Sequence, residues 1–147
     1  MAGIEADRMN QQFSTIEIKT SGPGLYLFTG KADSFVAQSA IADGLLTCFV
    51  RHTSASLVIQ ENADRDVQRD LATFLDRLVS RDPQHYRHTA EGPDDMPSHI
   101  RSMLTQTSLS IPFRGGKLLL GTWQGLYLFE HRDAPHCREV LLHAMGD

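Results

Sequence analysis

The sequence predicts a single α+β domain: a mostly antiparallel sheet with two main helices and one short helix. Three observations carry this. Short apolar runs of strand length outnumber the stretches with helical spacing, and the late connections are too short for parallel crossovers. Helical periodicity is strong only in Asp64–Leu78, where Val67, Leu71, Phe74, Leu75 and Leu78 recur on one face. At 147 residues the chain fits one domain and buries about two-thirds of its unfolded surface. Residues 1–12 are expected to be a flexible segment, because the first ten residues show no period, and residues 13–147 form the domain.

Each element has its own signal. Ile16 and Ile18 alternate with polar neighbours, which predicts a strand over Gln12–Thr20. Ser21-Gly22-Pro23-Gly24 is a turn cluster, and Leu25–Phe28 resumes as a strand. Thr29 is placed to cap a helix running to Asp43, with Phe35, Val36, Ser39 and Ala40 inward and Gly44 as its stop. Leu45–Val50 and Ser56–Gln60 read as buried strands. In the helix over Asp64–Leu78, Asp64 and Asp66 occupy the first turn, where the helix dipole favours carboxylates. Pro97 suits the first turn of the short helix, with Ile100, Met103 and Leu104 inward. Strands follow at Ser108–Phe113, Lys117–Leu120, Leu126–His131 and Arg138–His143.

Composition excludes some functions. A net charge of -4 argues against a general nucleic-acid binder, which needs a Lys/Arg excess to neutralise phosphates. No apolar run approaches the ~20 residues of a membrane span, and the polar N-terminus lacks a signal peptide's apolar core. Cys48 and Cys137 stand far apart and make no disulfide framework, so a cytoplasmic location is expected.

The chemistry is concentrated between Arg81 and His99. This stretch holds His85, His88 and His99 with Asp82, Glu91, Asp94 and Asp95, and almost no large apolar side chain. Long irregular loops in compact domains are usually functional or disordered. Its prolines and its metal-binding and proton-handling groups favour a built site. His88 and His99, eleven residues apart, match no familiar zinc spacing. Two imidazoles with a carboxylate or a third imidazole suit zinc, whereas carboxylates alone suit magnesium. The plain alternative is a solvated loop whose histidines cap neighbouring helices, and that reading is preferred for His85.

His52-Thr-Ser-Ala-Ser56 interrupts two apolar strands, and the following strand runs into Glu61-Asn-Ala-Asp64. If these strands pair as neighbours, His52 and Glu61 reach the same side of the sheet; backbone bonding for His52 and helix capping for Asp64 and Asp66 are the structural alternatives. Gly121-Thr-Trp-Gln-Gly125 sets Trp123 between glycines that permit a bulge or a close approach. Trp123 is then a core anchor or a pocket wall, and Gln124 a ligand contact or a turn amide. Glu130-His-Arg132 reads most simply as a surface ion cluster.

Taken together, His52-Thr-Ser-Ala-Ser56, Glu61-Asn-Ala-Asp64, Tyr86-Arg-His88, Glu91-Gly-Pro-Asp-Asp-Met-Pro-Ser-His99, Gly121-Thr-Trp-Gln-Gly125 and Glu130-His-Arg132 resemble the YjbQ-like family of small bacterial and archaeal proteins. The resemblance runs from about Phe13 to the end of the chain. It implies an α+β fold assembled as a homotrimer, and a weak, secondary thiamine-phosphate synthase activity. Members commonly carry proline at the position of Arg65 and glycine at that of Gln106.

The leading expectation is therefore a small divalent-metal enzyme, zinc- or magnesium-dependent, acting on a phosphorylated small molecule. Loss of pyrophosphate from a pyrimidine substrate needs charge neutralisation and an apolar wall. Glu61, Asp64, Asp94 and Asp95 are the candidate catalytic carboxylates. Arg87 and Arg101 are candidates for phosphate, Trp123 and Gln124 for the substrate body, and His52, His88 and His99 for the metal. Two alternatives use the same residues: zinc-assisted hydrolysis with Glu61 or Glu91 as base, and a trimeric metal- or ligand-binding protein without turnover. No phosphate-binding glycine loop is present.

Overall fold

A computed structural model describes residues 9–147, so the first eight residues of the expected flexible segment lie outside it; Asn10, Gln11 and Gln12 already belong to the first strand. In chain order the elements are β1 (Asn10–Thr20), β2 (Gly24–Leu27), α1 (Thr29–Gln38), β3 (Gly44–Val50), β4 (Ala55–Glu61), α2 (Arg65–Leu78), α3 (Asp95–Leu104), β5 (Ser108–Arg114), β6 (Lys117–Leu118), β7 (Gln124–Glu130) and β8 (His136–Gly146). A single 3₁₀ turn, Pro83–His85, lies between α2 and α3.

All strand pairs are antiparallel. They form a five-stranded sheet in the order β1-β8-β3-β5-β6 and a three-stranded sheet in the order β2-β7-β4. Strand alternation sends one face of each sheet into a shared core. Leu46, Cys48 and Val50 of β3, Leu109, Ile111 and Phe113 of β5, and Val140, Leu142 and Ala144 of β8 line it from the larger sheet. Ala55 and Leu57 of β4 with Leu126 and Leu128 of β7 line it from the smaller one, and Phe28, Ala32 and Val36 add the inner side of α1. The buried Cys48 thiol is pushed up to about 12 by desolvation, which keeps it inert. No helix among the described residues is long and apolar enough to cross a membrane.

Four details differ from the sequence reading. α1 stops at Gln38, with Ala40 in the left-handed region at φ 60°. Thr29 does not cap it; its hydroxyl accepts the Leu126 N–H at 2.9 Å and so ties α1 to β7. Gly44 opens β3 opposite Gly146, where a Cβ on either residue would collide with the facing backbone. In α3 the expected faces are exchanged. Asp95, Ser98 and Arg101 are buried, while Met103 is 75% and Leu104 51% exposed. The cause is tertiary: the inner side of α3 meets the polar end of β7, which demands hydrogen-bonding partners.

Glu130 overturns a further expectation, since it is fully buried between the sheets. Its carboxylate takes Nε of Arg138 at 2.8 Å, Nη2 of Arg138 at 2.6 Å and the Thr20 hydroxyl at 2.7 Å. β7 belongs to one sheet and β1 and β8 to the other, so the group pins the two sheets together. Burial alone would raise the Glu130 carboxyl, but the bonds from Arg138 and Thr20 outweigh it and hold it below its ordinary value. The stabilisation is therefore complete above the usual glutamate value of about 4.3 and fades as pH falls through the lower folded value. Replacing Glu130 with Gln is expected to cost about 3–5 kcal/mol in urea unfolding at pH 7, because it strands a buried guanidinium. The gap between variant and parent should close on acidification below about pH 4.

Candidate metal centre

The site is built where β7 ends and α3 begins. Beyond Glu130 the chain continues to alternate. His131 turns to the outer face of the smaller sheet, where its Nε2 lies 2.9 Å from the Ser56 hydroxyl on β4. Burial first, then the charge of Arg101, depresses His131 to about 4, so its ring is neutral at physiological pH. Its carbonyl accepts the Ser98 hydroxyl of α3 at 2.8 Å. Arg132 then reaches both carboxylates at the start of that helix: Nε meets Asp94 Oδ2 at 2.9 Å and Nη1 meets Asp95 Oδ1 at 2.8 Å. Its Nη2 also donates to the Glu91 carbonyl at 3.1 Å, fixing the preceding loop.

One oxygen of Asp95 is thereby spent on Arg132 and the other is aimed outward. That second oxygen, Oδ2, lies 2.5 Å from Nε2 of His88 and 3.2 Å from Nε2 of His99. Glu91 Oε2 stands 3.2 Å from the same His88 nitrogen. One donor atom from each of His88, Glu91, Asp95 and His99 lies within 4.8 Å of the others. Two atoms bonded to one zinc ion at about 2.0–2.2 Å stand at most about 4.4 Å apart, so a small contraction closes this group around an ion. Nδ1 of His99 donates to the Thr53 carbonyl at 2.9 Å, which in the neutral ring leaves Nε2 as the lone-pair nitrogen facing the group. Tyr86 anchors the loop from the other side, its hydroxyl donating to the Ser80 carbonyl at 2.6 Å.

Electrostatics suit a cation. Burial pushes the Asp95 carboxyl up, but hydrogen bonds from His88 and Glu91 and the charges of His99 and Arg132 prevail and bring it to about 2. Burial opposes Asp94 in the same way, and its bonds to Arg132 and the Asp133 N–H keep it low. His88 is held above its ordinary value, chiefly by its bond to Asp95.

The other expected site residues lie elsewhere. His52 turns onto β8, where Nε2 accepts the Glu139 N–H at 2.9 Å and Nδ1 faces Arg138 at 3.5 Å. It is not a member of the donor group. Asp94 is close to the group but occupied by Arg132 and Asp133. Glu61 and Asp64 stand at the far end of β4: Ala55 pairs with Glu130 and Glu61 with Gln124, so the strand's full length, about 20 Å, separates the two sets. Glu61 there accepts the N–H groups of Ala63 and Asp64, and Asp64 caps α2 through the Asp66 N–H. Gln124 closes its own turn by accepting the Gly121 N–H at 2.8 Å. Trp123, 63% exposed, is neither core anchor nor enclosed wall within one chain. Arg101 is buried against Asp76 at 2.8 Å, so it is not free for phosphate; Arg87 is exposed beside His88. His85 bonds Ser80 and keeps its structural role.

Sequence reasoning missed Arg132, His131 and Ser98. Glu130-His131-Arg132 read as a surface cluster, yet Glu130 and His131 are buried. A usable signal was present: Leu126–Phe129 is apolar at every position, the mark of a strand covered on both faces, so Glu130 and His131 at its end are buried with it.

A model of the UPF0047 protein YjbQ-like family matches residues 14–147. The chain is 53% identical over 142 residues to a UPF0047 protein of Synechocystis, covering 97% of each. It is 38% identical over 134 residues to the UPF0047 protein YjbQ of Escherichia coli O157:H7, covering 90% of this chain and 96% of that one. A crystal structure of a YbjQ-like protein from Sulfolobus solfataricus P2 superposes with a TM-score of 0.87 at 24% identity, covering 95% of this chain and all of the other, which establishes the fold.

Arg132 orients Asp95 without touching the donor group's open side. Replacing it with Gln is expected to weaken zinc binding about 10–100-fold, as loss of an outer partner of a ligand typically does. Competition titration with a chromophoric chelator reads this directly; unchanged affinity would mean that α3 positions Asp95 unaided.

Proposed function

The chain belongs to the YjbQ-like UPF0047 family, and we propose that it binds one divalent metal ion, zinc best fitting the donors, at the junction of β7 and α3. The observation that carries this reading is the convergence of two imidazole nitrogens on the single outward oxygen of a carboxylate whose other oxygen is locked by Arg132. Such a mixed nitrogen and oxygen set suits zinc over magnesium. His88, Asp95 and His99 are the proposed ligands. Glu91, 65% exposed in its side chain, is a fourth ligand or a base beside the ion.

A metal bound here supplies Lewis-acid polarisation of a phosphoryl oxygen and lowers the pKa of a coordinated water. The protein's share is positional. Arg132 and the Thr53 carbonyl fix Asp95 and His99, whereas His88 and Glu91 sit on the loop and close from outside. With Arg101 occupied by Asp76, Arg87 is the candidate to receive a phosphate, one residue before His88. The reading is a metal-dependent enzyme acting on a phosphorylated small molecule. The thiamine-phosphate synthase-like reaction implied by the resemblance is its specific form.

Zinc-assisted hydrolysis is the second reading, favoured by the placement of Glu91. Its carboxylate is exposed and within 3.2 Å of His88, near enough to take a proton from an attacking water. Assembly as a homotrimer is proposed as well. It is supported by the outward Phe74 and Leu78 of α2 and Met103 and Leu104 of α3, all more than half exposed. Subunit contact would remove this surface from water.

Elemental analysis of the purified protein is expected to find about one metal per chain. H88A and H99A are each expected to lower that occupancy at least about tenfold while the thermal midpoint moves little, as befits partly exposed loop and helix-surface ligands. Turnover of thiamine precursors or of a phosphate ester by the loaded protein, abolished in H88A, marks an enzyme. Stoichiometric metal without turnover on either substrate marks a binding protein. Parent protein that takes up no zinc, cobalt or magnesium overturns the reading.

A further inference from the structure

Along the outer face of the smaller sheet, a cleft of about 640 Å³ opens between α2 and strands β2 and β7, with Asn62, Ala63 and Arg65 at the end far from the metal centre. This volume lies in the range of small-molecule sites. α2 packs loosely on the sheet: Leu75 is the one buried residue of the helix, and Val67 and Leu71 are half-buried. Its floor is apolar, with Leu27 and Phe129. Its rim is polar, with Asn62, Arg65, Arg69 and the Tyr127 side chain.

The arginines have no evident structural reason to be there. They are four residues apart on one helix face, where like charges repel. Arg65 is the first residue of α2, where the helix dipole already favours negative charge. Among the described residues Arg65 makes no ion pair or side-chain hydrogen bond, whereas Arg69 makes one exposed pair with Asp66 at 2.9 Å. An exposed pair of that kind contributes little and exchanges readily. Asp66 pairs with Arg69, and Glu61 and Asp64, engaged with backbone N–H groups, lie outside the lining. The lining itself carries two guanidinium groups and no carboxylate. The Tyr127 hydroxyl donates to the Glu61 carbonyl at 3.3 Å and lies 3.5 Å from Nε2 of Gln68, which holds the ring as a fixed wall.

We infer that this cleft is a second ligand site, which takes a small organic anion, a phosphate monoester with a flat apolar body, held at its phosphate by Arg65 and Arg69. A phosphate facing two guanidiniums gains charge-assisted and bidentate hydrogen bonds. Its body covers Leu27 and Phe129, removing apolar surface from water. The site stands apart from the metal centre within one chain and does not depend on it.

The test is titration of the full-length protein with phenyl phosphate, inorganic phosphate and phenol, followed by calorimetry. Phenyl phosphate is expected to bind more tightly than either half-ligand, and more weakly as salt rises. R65A/R69A should weaken it at least about tenfold, the scale of one lost charge-assisted contact. Both side chains are exposed, so the thermal midpoint should hold; R65E alone provides a second variant with the same expected direction. With metal removed by a chelator, so that the metal centre offers no second phosphate site, H88A should leave the affinity unchanged. Phenyl phosphate binding no tighter than phenol, binding insensitive to R65A/R69A and R65E, or binding lost in H88A would each overturn the assignment.

Discussion

The structure depends on what three consecutive residues do as β7 leaves the core. Strand alternation sends Glu130 inward to Arg138 and Thr20 of the larger sheet, and His131 outward to Ser56 of β4. Arg132 then goes forward to Asp94 and Asp95 of α3. One short stretch thus joins both sheets and the helix that carries the donor group. Buried charges are tolerated only when their hydrogen-bonding capacity is met: Glu130 and Arg132 each have several partners, whereas His131, neutral, bonds Ser56 through Nε2 and leaves Nδ1 unpaired. The same constraint explains why α3 presents its polar side inward and its apolar side to solvent.

That arrangement also prepares Asp95. A free carboxylate at a helix start would rotate and share its oxygens with backbone N–H groups. With Oδ1 committed to Arg132, only Oδ2 faces the two imidazoles. His99 is oriented in turn by Thr53, the residue after His52. The polar break between β3 and β4 therefore does serve the site, through a backbone carbonyl. The side chain of His52 instead joins the contacts with β8.

Much of the fold was legible because strand and helix periodicities are local. The strands of the larger sheet and the extent of α2 followed from alternation and spacing, and the loop between α2 and α3 was marked by its histidines and carboxylates. What sequence concealed was long-range. The inward polar face of α3 is imposed by Arg132, thirty-seven residues beyond Asp95, and no local pattern announces it. The pairing of β4 with β7 is antiparallel and in full register, so Glu61 and Trp123 share one end of the sheet while His99 and Arg132 share the other. Bringing His52 and Glu61 to the same side required β3 and β4 to pair, whereas the two strands belong to different sheets.

The central claim is that His88, His99 and Asp95 hold one metal ion through atoms already brought together by Arg132 and Thr53. Anomalous diffraction from crystals soaked in zinc, collected on both sides of the zinc edge, tests it most directly. One strong peak per chain is expected, about 2.0–2.2 Å from Nε2 of both histidines and from an oxygen of Asp95. Arg132 should remain on the other Asp95 oxygen. A strong peak elsewhere, or no peak with both imidazoles still hydrogen-bonded to Asp95, would contradict it.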